Sequence, residues 1–239
     1  MKRDPAAPLE PRQLMRLHVR ALFRCDDDGR LAAVNEVRGG PAPRFFLGRT
    51  ADGVRCWFRD DLEASLAYEL AALAGSLPAT LPLEEDPALA APSVRVLEKS
   101  EPVTRVWTGP AFLVPEDLRD NARAVAITPS NADLLRPDFE DWLDDVEDGL
   151  PFAAVLAGEH AVSICCSVRI TPEAHEAGLE TARSYRGRGY AGHAVAAWAG
   201  LVRQRGCVPL YSTSWENLAS RAVARKLALI QYGADLHVR

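Results

Sequence analysis

The residues of this sequence best suited to bind an anionic group form a glycine-rich turn at 186–189, with the sequence RGRG. Residues 176–182 before it predict a strand, and the segment after it, to about residue 205, has the apolar stripe of a helix. Backbone N–H groups at the start of such a helix lack intrahelical partners and lie at the positive end of the helix dipole, so they attract phosphate. The glycines keep side chains away from a ligand, and the arginines add positive charge. We interpret the turn as a pyrophosphate site; the alternative is a structural glycine turn with surface arginines.

The segment 186–191, with the sequence RGRGYA, resembles the Arg/Gln-x-x-Gly-x-Gly/Ala signature of the GNAT acetyltransferases. Two further parts are similar to that family in the expected order. Residues 179–185 (LETARSY) resemble the strand that leads into its pyrophosphate loop, and 215–220 (WENLAS) with 224–227 (ARKL) resemble a later helix. The resemblance covers residues 119–239 and implies an α/β fold, a GNAT-type mixed sheet flanked by helices.

This resemblance implies that acetyl-CoA is the cofactor, with its pyrophosphate on the glycine-rich turn and its pantetheine arm between two splayed parallel strands. The pyrophosphate contacts are expected from the turn and the start of the helix: Arg186, Gly187, Arg188, Gly189, Tyr190 and Ala191. Leu179 and Thr181 are expected to bond the pantetheine through their main chain. Asn217 is expected to reach the same arm, or else to act only as a helix cap.

One departure from the family pattern concerns the leaving thiolate. Many GNAT enzymes place a tyrosine in the later helix as the acid that protonates it, and Ala224 stands at that position here. A thiol has a reference pKa of about 8.5, so its release as thiolate at pH 7 costs only about 2 kcal/mol. The missing tyrosine therefore does not exclude acyl transfer.

Activation of an amine acceptor makes a greater demand. An amine with a pKa of about 10.4 must lose a proton before it attacks, which costs about 4–5 kcal/mol at neutral pH. A carboxylate near the opening between the strands would supply the base. Glu180 is the first candidate and Glu176 the second, because they share one side of a regular strand, with His175 nearby. The alternative for each is a surface residue.

Acidic residues are concentrated between residues 138 and 148. In the family this region flanks the acceptor cleft, so the run is a candidate for attracting a cationic acceptor; the alternative is a solvated helix face. Its members are Asp138, Glu140, Asp141, Asp144, Asp145, Glu147 and Asp148.

Composition argues against several functions. With 33 acidic and 28 basic residues the net charge is −5, which gives no general basic field for nucleic acids or anionic membranes. No apolar stretch approaches the roughly 20 residues that span a bilayer, and the first residues lack a signal-peptide core, so we expect a cytoplasmic protein. The five cysteines and five histidines show no metal-binding spacing, and we expect no metal.

The chain is expected to contain a smaller α+β domain at 1–118, which resembles no family that we recognise, followed by the acyltransferase domain at 119–239. Repeated prolines between residues 77 and 115 are typical of a connector. The predicted elements of the first domain are strands at 44–49 and 54–58 and a leucine-lined helix at 60–77. Those of the second are strands at 124–127, 152–156, 161–170, 176–182, 208–212 and 232–238, a helix at 133–146 that is broken by Pro137, and helices up to 205 and from 217.

The sequence thus predicts an N-acetyltransferase that moves an acetyl or related acyl group from acetyl-CoA to a primary amine by direct attack. The acceptor is a small-molecule amine or a protein amine, and neither its identity nor the oligomeric state can be read from the residues. A rival hypothesis is a non-catalytic acyl-CoA-binding regulatory module, in which Ala224 records lost chemistry. Another gives the turn a different phosphate ligand, such as a nucleotide.

Overall fold

The computed structural model describes residues 9–36, 39–78, 82–84, 88–118, 124–147 and 150–239. Two compact units are present, Met1–Ala111 with Gln231–Arg239, and Phe112–Ile230. The domain boundary expected near residue 118 lies beside residues 119–123, which are outside the described part of the chain. That boundary therefore stays a prediction.

Helices and strands are interspersed along the whole chain, and short 3₁₀ helices lie between some of them. In chain order the elements are α1 (Pro11–Leu22), β1 (Phe23–Cys25), β2 (Leu31–Val34), β3 (Phe45–Thr50), β4 (Gly53–Phe58), α2 (Ala64–Gly75), α3 (Ala90–Leu97), β5 (Val106–Leu113), β6 (Ala124–Ala126), α4 (Leu143–Glu147), β7 (Phe152–Ala157), β8 (His160–Ile170), β9 (Ala174–Thr181), α5 (Tyr190–Gln204), β10 (Val208–Ser212), α6 (Leu218–Lys226) and β11 (Ile230–Val238). The 3₁₀ helices are Pro129–Leu135, Glu140–Trp142 and Arg183–Tyr185.

The first unit combines α1, α2 and α3 with strands in the order β4-β3-β11-β5. The predicted strands at 44–49 and 54–58 are confirmed as the antiparallel hairpin of β3 and β4. The leucine-lined helix is confirmed as α2, whose Leu66 and Leu70 are buried together with Phe45 of β3. The closing strand predicted at 232–238 is β11. The prediction puts it in the second domain, whereas it pairs antiparallel with β3 and belongs to the first unit.

The segment between residues 77 and 115 is more regular than its prolines suggest, because it contains all of α3 and β5. Pro92 lies in the first turn of α3, where the N–H that proline lacks has no intrahelical partner to lose. The interpretation of this segment as a connector is therefore wrong for these residues.

Helix α1 is joined to β11 by a buried polar pair. His18 Nε2 lies 3.1 Å from Asp235 Oδ2, and the two side chains are 0% and 2% exposed. His237 Nε2 lies 3.9 Å from the other oxygen of Asp235, and its ring stacks on those of Phe46 and Trp107, each at a centroid distance of 5.7 Å. Burial lowers the pKa of His237 to about 4. The ring is therefore neutral at pH 7.

We expect the free energy of unfolding to fall as the pH is lowered from about 6.5 to about 4. In this window the unfolded chain binds a proton at His237 and the folded chain does not, so acid favours the unfolded state. His237→Gln should reduce the stability difference between neutral and mildly acidic solution by about 2 kcal/mol, measured by urea denaturation. The control is His160→Gln at an exposed histidine, and equal pH dependence in both variants would contradict the assignment.

The second unit is a mixed sheet with packed layers on both faces. Its strands run in the order β10-β9-β8-β7-β6, with β10 parallel to β9 and the other neighbours antiparallel. One face packs on α5 and α6 around Trp198 and Cys165, and the opposite face packs on α4 and the 3₁₀ helices around Phe139 and Phe152. This arrangement confirms the predicted α/β class with a mixed sheet flanked by helices. No helix in the described part of the chain is long and apolar enough to cross a membrane.

The layer formed by α4 and the 3₁₀ helices holds an indole ring against β9. The helix predicted at 133–146 with a break at Pro137 consists of three short pieces, and Pro137 lies in the turn between the first two. The second piece carries Trp142. A Cβ atom at Gly178 of β9 would lie 2.2 Å from Val168 Cγ1 and 3.1 Å from the Trp142 ring. Gly178 is thus the residue that lets the indole approach the strand.

The acidic run lies on the same short pieces. Asp138, Asp141 and Asp144 are exposed, and Glu140 pairs with Arg136 at 2.9 Å. The side chain of Glu147 and the whole of Asp148 are outside the described part of the chain. A role of this run toward an acceptor stays a prediction.

We expect Gly178→Ala to lower the free energy of unfolding by about 1–3 kcal/mol, because the added methyl group displaces Val168 and the Trp142 ring. Gly200→Ala is the matched control: Gly200 lies within α5, and a Cβ there meets no heavy atom within 4 Å. That control should raise stability by about 0.5–1 kcal/mol. Denaturant titrations of both variants measure the two signs, and a neutral Gly178→Ala would show that the indole does not pack as described.

Candidate functional site

The centre of the candidate site is a fork between two parallel strands. β9 and β10 are paired over only three residues each, Ala174 to Glu176 with Val208 to Leu210. In the described part of the chain their pairing does not continue past Glu176 and Leu210, whereas β9 stays paired with β8 as far as Thr181. Residues 177–181 therefore have β8 on one edge and the fork on the other.

The direction of the backbone along β9 decides which residues face the fork. The N–H of Ala182 donates to the carbonyl of Val162 at 3.0 Å, so it is directed toward β8. Because backbone groups alternate between the two edges of a strand, Glu180 shares that direction. The N–H and C=O groups of Leu179 and Thr181 are then directed toward the fork. These are the residues whose main chain is expected to bond pantetheine.

The glycine-rich turn lies where β9 ends. Gly187 and Gly189 have φ angles of 78° and 88°, which disfavour any residue with a side chain. A Cβ atom at either position would meet no heavy atom within 4 Å, so the backbone there can be approached closely. Gly189 is the N-cap of α5 and provides no side-chain cap, which leaves the first-turn amides to other partners.

The two arginines of the turn differ in their surroundings. Arg186 Nε donates to the carbonyl of Thr181 at 3.0 Å, which ties the turn to the end of β9 and leaves the other guanidinium nitrogens for an anion. The Arg188 guanidinium lies over the ring of Tyr185 at 5.2 Å, and that ring is in edge contact with Tyr190. Both arginines are exposed, so each is able to reach a phosphate.

Asn217 caps α6, as one of its two predicted roles requires. Its Oδ1 accepts a hydrogen bond from the N–H of Ser220 at 3.0 Å, and its side chain is exposed. The cap uses only the oxygen, so the two protons of the side-chain amide stay available to a ligand. The cap and the pantetheine contact are therefore compatible.

Glu180 is held by a residue that no sequence pattern indicated. Trp142 Nε1 donates to Glu180 Oε2 at 2.7 Å in a partly buried setting, and the indole packs edge-on to Phe152. Glu180 lies on the face of the sheet opposite α5, one residue from the fork-facing main chain of Leu179. Its carboxylate is thus fixed in orientation and still partly exposed.

The side chain of Glu176 lies on the same face of the sheet as that of Glu180, but it is more buried. It is 2% exposed and accepts a hydrogen bond from Ser212 Oγ of β10 at 3.1 Å. This bond closes the fork at its vertex, next to the last paired residues. The structure therefore brings both predicted carboxylates to one face, about 13 Å apart along the strand, and makes Glu180 the more accessible of the two.

His175 does not join these carboxylates. It lies on the α5 face, where Trp198 Nε1 donates to Ser167 Oγ at 3.0 Å and Ser167 Oγ is 2.8 Å from His175 Nδ1. Burial, and to a smaller extent Arg205, lowers the pKa of His175 to about 4. His175 is near Glu176 in sequence but faces the other side of the sheet, because alternate residues of a strand face opposite sides.

Ala224, at the position of the family's tyrosine, is 2% exposed and packs into the core from the buried side of α6. One turn earlier on the helix, Ser220 Oγ lies 2.6 Å from the hydroxyl of Tyr211 on β10. Burial raises the pKa of Tyr211 to about 12. Ser220 falls within the segment 215–220 that resembles the family, three residues after Asn217, so its helical spacing was a usable signal; nothing local pointed to Tyr211.

The two adjacent cysteines of β8 and the possible metal ligands would be alternative sources of chemistry. Cys165 and Cys166 are both fully buried, and burial raises the pKa of each thiol. A covalent route through either thiolate is therefore disfavoured. Within the described ranges, no group of three or more His, Cys, Asp or Glu residues is arranged to hold a metal ion.

Comparisons with known proteins agree with these features at the level of the family. A sequence profile described as GNAT acetyltransferase matches residues 119–233. Similar solved structures include a GNAT-family protein from Novosphingobium aromaticivorans, with 16% identity and a TM-score of 0.43 over 57% of this chain and 65% of that one. Another is an acetyltransferase of the GNAT family from Colwellia psychrerythraea, with 12% identity and a TM-score of 0.46 over 77% of this chain and 75% of that one.

A further similar structure is AAC(6′)-Iy in complex with a CoA-containing bisubstrate analogue, with 19% identity and a TM-score of 0.37 over 46% of this chain and 90% of that one. The chain covers slightly less than two thirds, 65%, of the Novosphingobium protein. No curated protein sequence matches the chain significantly. The profile match reaches only the part of the chain that carries the fork and the glycine-rich turn, and it is this part, residues 119–233, that belongs to the GNAT acetyltransferase family.

Proposed function

We propose that this chain transfers an acyl group, acetyl in the first instance, from acetyl-CoA to a primary amine by direct attack. The observation that carries the proposal is the fork between β9 and β10, which opens toward the glycine-rich turn. A ligand with an anionic group at one end and a narrow, amide-containing arm fits both parts. Acetyl-CoA has this form.

The cofactor lies with its pyrophosphate on the backbone amides of the glycine-rich turn and the start of α5, from Arg188 to Ala191, and near the guanidinium of Arg186. Its arm follows β9 back into the fork, where the main chain of Leu179 and Thr181 bonds it. The strand from Glu176 to Thr181 extends about 16 Å, similar to the length of an extended pantetheine arm. The thioester then lies within the fork, next to the main chain of β9.

The amine approaches from the face of the sheet that carries Glu180. Glu180 takes the proton that the amine must lose, through one water molecule, while Trp142 fixes the carboxylate at 2.7 Å. The nitrogen attacks the thioester carbonyl, the carbon–sulfur bond breaks, and the electron pair leaves with the sulfur as thiolate. Glu176 is the less favourable base because it is 2% exposed. The acceptor is a primary amine of a small molecule or a protein.

One observation favours a different function. Ala224 occupies the position of the family's acid, so a non-catalytic module that only binds acyl-CoA is the second candidate. Tight acetyl-CoA binding with no thiol release over a broad panel of primary amines would select it.

A dinucleotide is the remaining rival, since Gly187, Gly189 and Gly192 have Gly-x-Gly-x-x-Gly spacing. The acidic residue that such folds place about 20 residues further on, to bond a ribose, is absent: β10 ends with Ser212. A Cβ atom at Gly192 would lie 2.9 Å from Leu227 Cδ2, so close packing explains this glycine without a ligand. Thermal shifts with acetyl-CoA, ATP and NAD separate the three ligands.

Gly189→Val is expected to abolish measurable acetyl-CoA binding in titration calorimetry, because its side chain occupies the place of the pyrophosphate. Gly206→Val is the matched control. Gly206 follows the other end of α5 and has a similar φ of 75°, again with no heavy atom near a Cβ. Both variants carry comparable backbone strain, about 1–2 kcal/mol, but only Gly189→Val should lose the ligand. Equal affinities in the two variants would remove the turn from the site.

Glu180→Gln should lower kcat/KM about 10²–10⁴-fold at neutral pH, the usual range for loss of a general base. Thiol release with a panel of primary amines measures the rate, and the affinity for acetyl-CoA should barely change. Raising the pH should recover much of the rate, because the free amine then forms without help. In the comparison variant Glu176→Gln, stability should fall more than turnover. The opposite pattern would transfer the role of base to Glu176.

A further inference from the structure

Two hydroxyl groups meet where the fork begins. Tyr211 is the first residue of β10 after the last pair with β9, and its hydroxyl lies 2.6 Å from Ser220 Oγ of α6. Tyr211 is 3% exposed, and Ser220 is partly exposed. The contact thus joins an enclosed phenol to a hydroxyl that lies nearer the surface.

Among the described residues, this pair has more hydroxyl protons than hydrogen-bond acceptors for them. Two hydroxyl groups carry two protons, and the hydrogen bond between them uses one. Neither hydroxyl has another partner in the described part of the chain. One proton is therefore available for an acceptor outside the protein.

The direction of the hydrogen bond decides which residue keeps that proton. Burial raises the pKa of Tyr211 to about 12, so the phenol stays protonated at neutral and moderately alkaline pH. Among the described residues the enclosed phenol has only Ser220 within hydrogen-bond distance, so we assign the phenol as the donor and Ser220 Oγ as the acceptor. The proton of Ser220, on the more exposed hydroxyl, then points away from Tyr211.

The helix places this proton on the side of the cofactor arm. Asn217, Ser220 and Ala224 follow one another at spacings of three and four residues, so they share one face of α6. Asn217 is the residue proposed to bond the arm, and Ala224 is buried below. Ser220 lies between them and has the only side chain of the three with a hydroxyl.

We propose that Ser220 donates a hydrogen bond to the sulfur of coenzyme A as the thiolate leaves, with Tyr211 as the positioning residue that orients it. The inference rests on the proposed acyl transfer and specifies how its leaving group is stabilised. When the carbon–sulfur bond breaks, the electron pair stays on sulfur and Ser220 keeps its proton. The proton lost by the amine departs on the opposite face, through the water at Glu180. No proton transfer from Tyr211 is required, which its high pKa would oppose.

The test compares the binding of coenzyme A with that of desulfo-coenzyme A, which lacks the sulfur, in the full-length protein by titration calorimetry. At about pH 9.5 the free thiol is largely ionised. Wild type should prefer coenzyme A about ten- to a hundredfold, the value of one hydrogen bond to a charged acceptor. Ser220→Ala should lose this preference and keep its affinity for desulfo-coenzyme A. Tyr211→Phe should lose part of it, and Ser220→Thr, which retains the hydroxyl, should keep most of it.

The outcomes separate the two proposals. If wild type binds both ligands equally, or Ser220→Ala keeps the preference, the role of Ser220 is overturned and the cofactor site stands. If the variant loses affinity for both ligands alike, Ser220 serves only the structure of α6, and the inference also fails. If wild type binds neither ligand, the proposed function itself is overturned together with this inference.

Discussion

The short pairing between β9 and β10 is the constraint on which the rest of the site depends. A buried strand edge needs hydrogen-bond partners for its N–H and C=O groups, and a neighbouring strand normally supplies them. Here that supply ends at Glu176 and Leu210. The seven residue pairs between β8 and β9 hold the strand in place on its other edge. The open edge at Leu179 and Thr181 is therefore stable without a second strand and suited to an extended ligand with amide groups.

Because successive side chains of a strand point to opposite faces, β9 contacts a different environment on each face and a third at its open edge. Side chains of Ala177 and Leu179 pack against the α5 core, and those of Glu180 and its even-numbered neighbours face the opposite layer. The main chain between them faces the fork. The proposed cofactor contacts and the proposed base can thus lie within a few residues of each other without competing for the same space. The layer on the Glu180 face must pack closely against β9. Gly178 leaves room there for the Trp142 ring because it has no side chain.

Local patterns in the sequence predicted the local parts of this arrangement. The strand, the glycine-rich turn and the helix after it are adjacent in the chain, so spacing alone defines them. The contact between Trp142 and Glu180 joins residues 38 apart, and no periodicity links them. The pairing of β11 with β3 likewise joins segments that are far apart in the sequence. No local pattern at 232–238 shows that this strand belongs to the first unit. The α3 helix escapes prediction because proline in a first turn looks the same in sequence as proline in a connector.

The two proton requirements of acyl transfer differ in size, and the residues of the fork reflect that difference. Deprotonating an amine at neutral pH costs about 4–5 kcal/mol, whereas releasing a thiolate costs about 2 kcal/mol. The larger requirement needs a true base, and we propose for it the partly exposed carboxylate of Glu180, which is oriented by an indole N–H. The smaller one needs no proton transfer, since a single hydrogen bond to a charged sulfur contributes about 1.5–3 kcal/mol. The hydroxyl of Ser220 is sufficient for that in the proposed reaction, which then does not need a phenol at position 224.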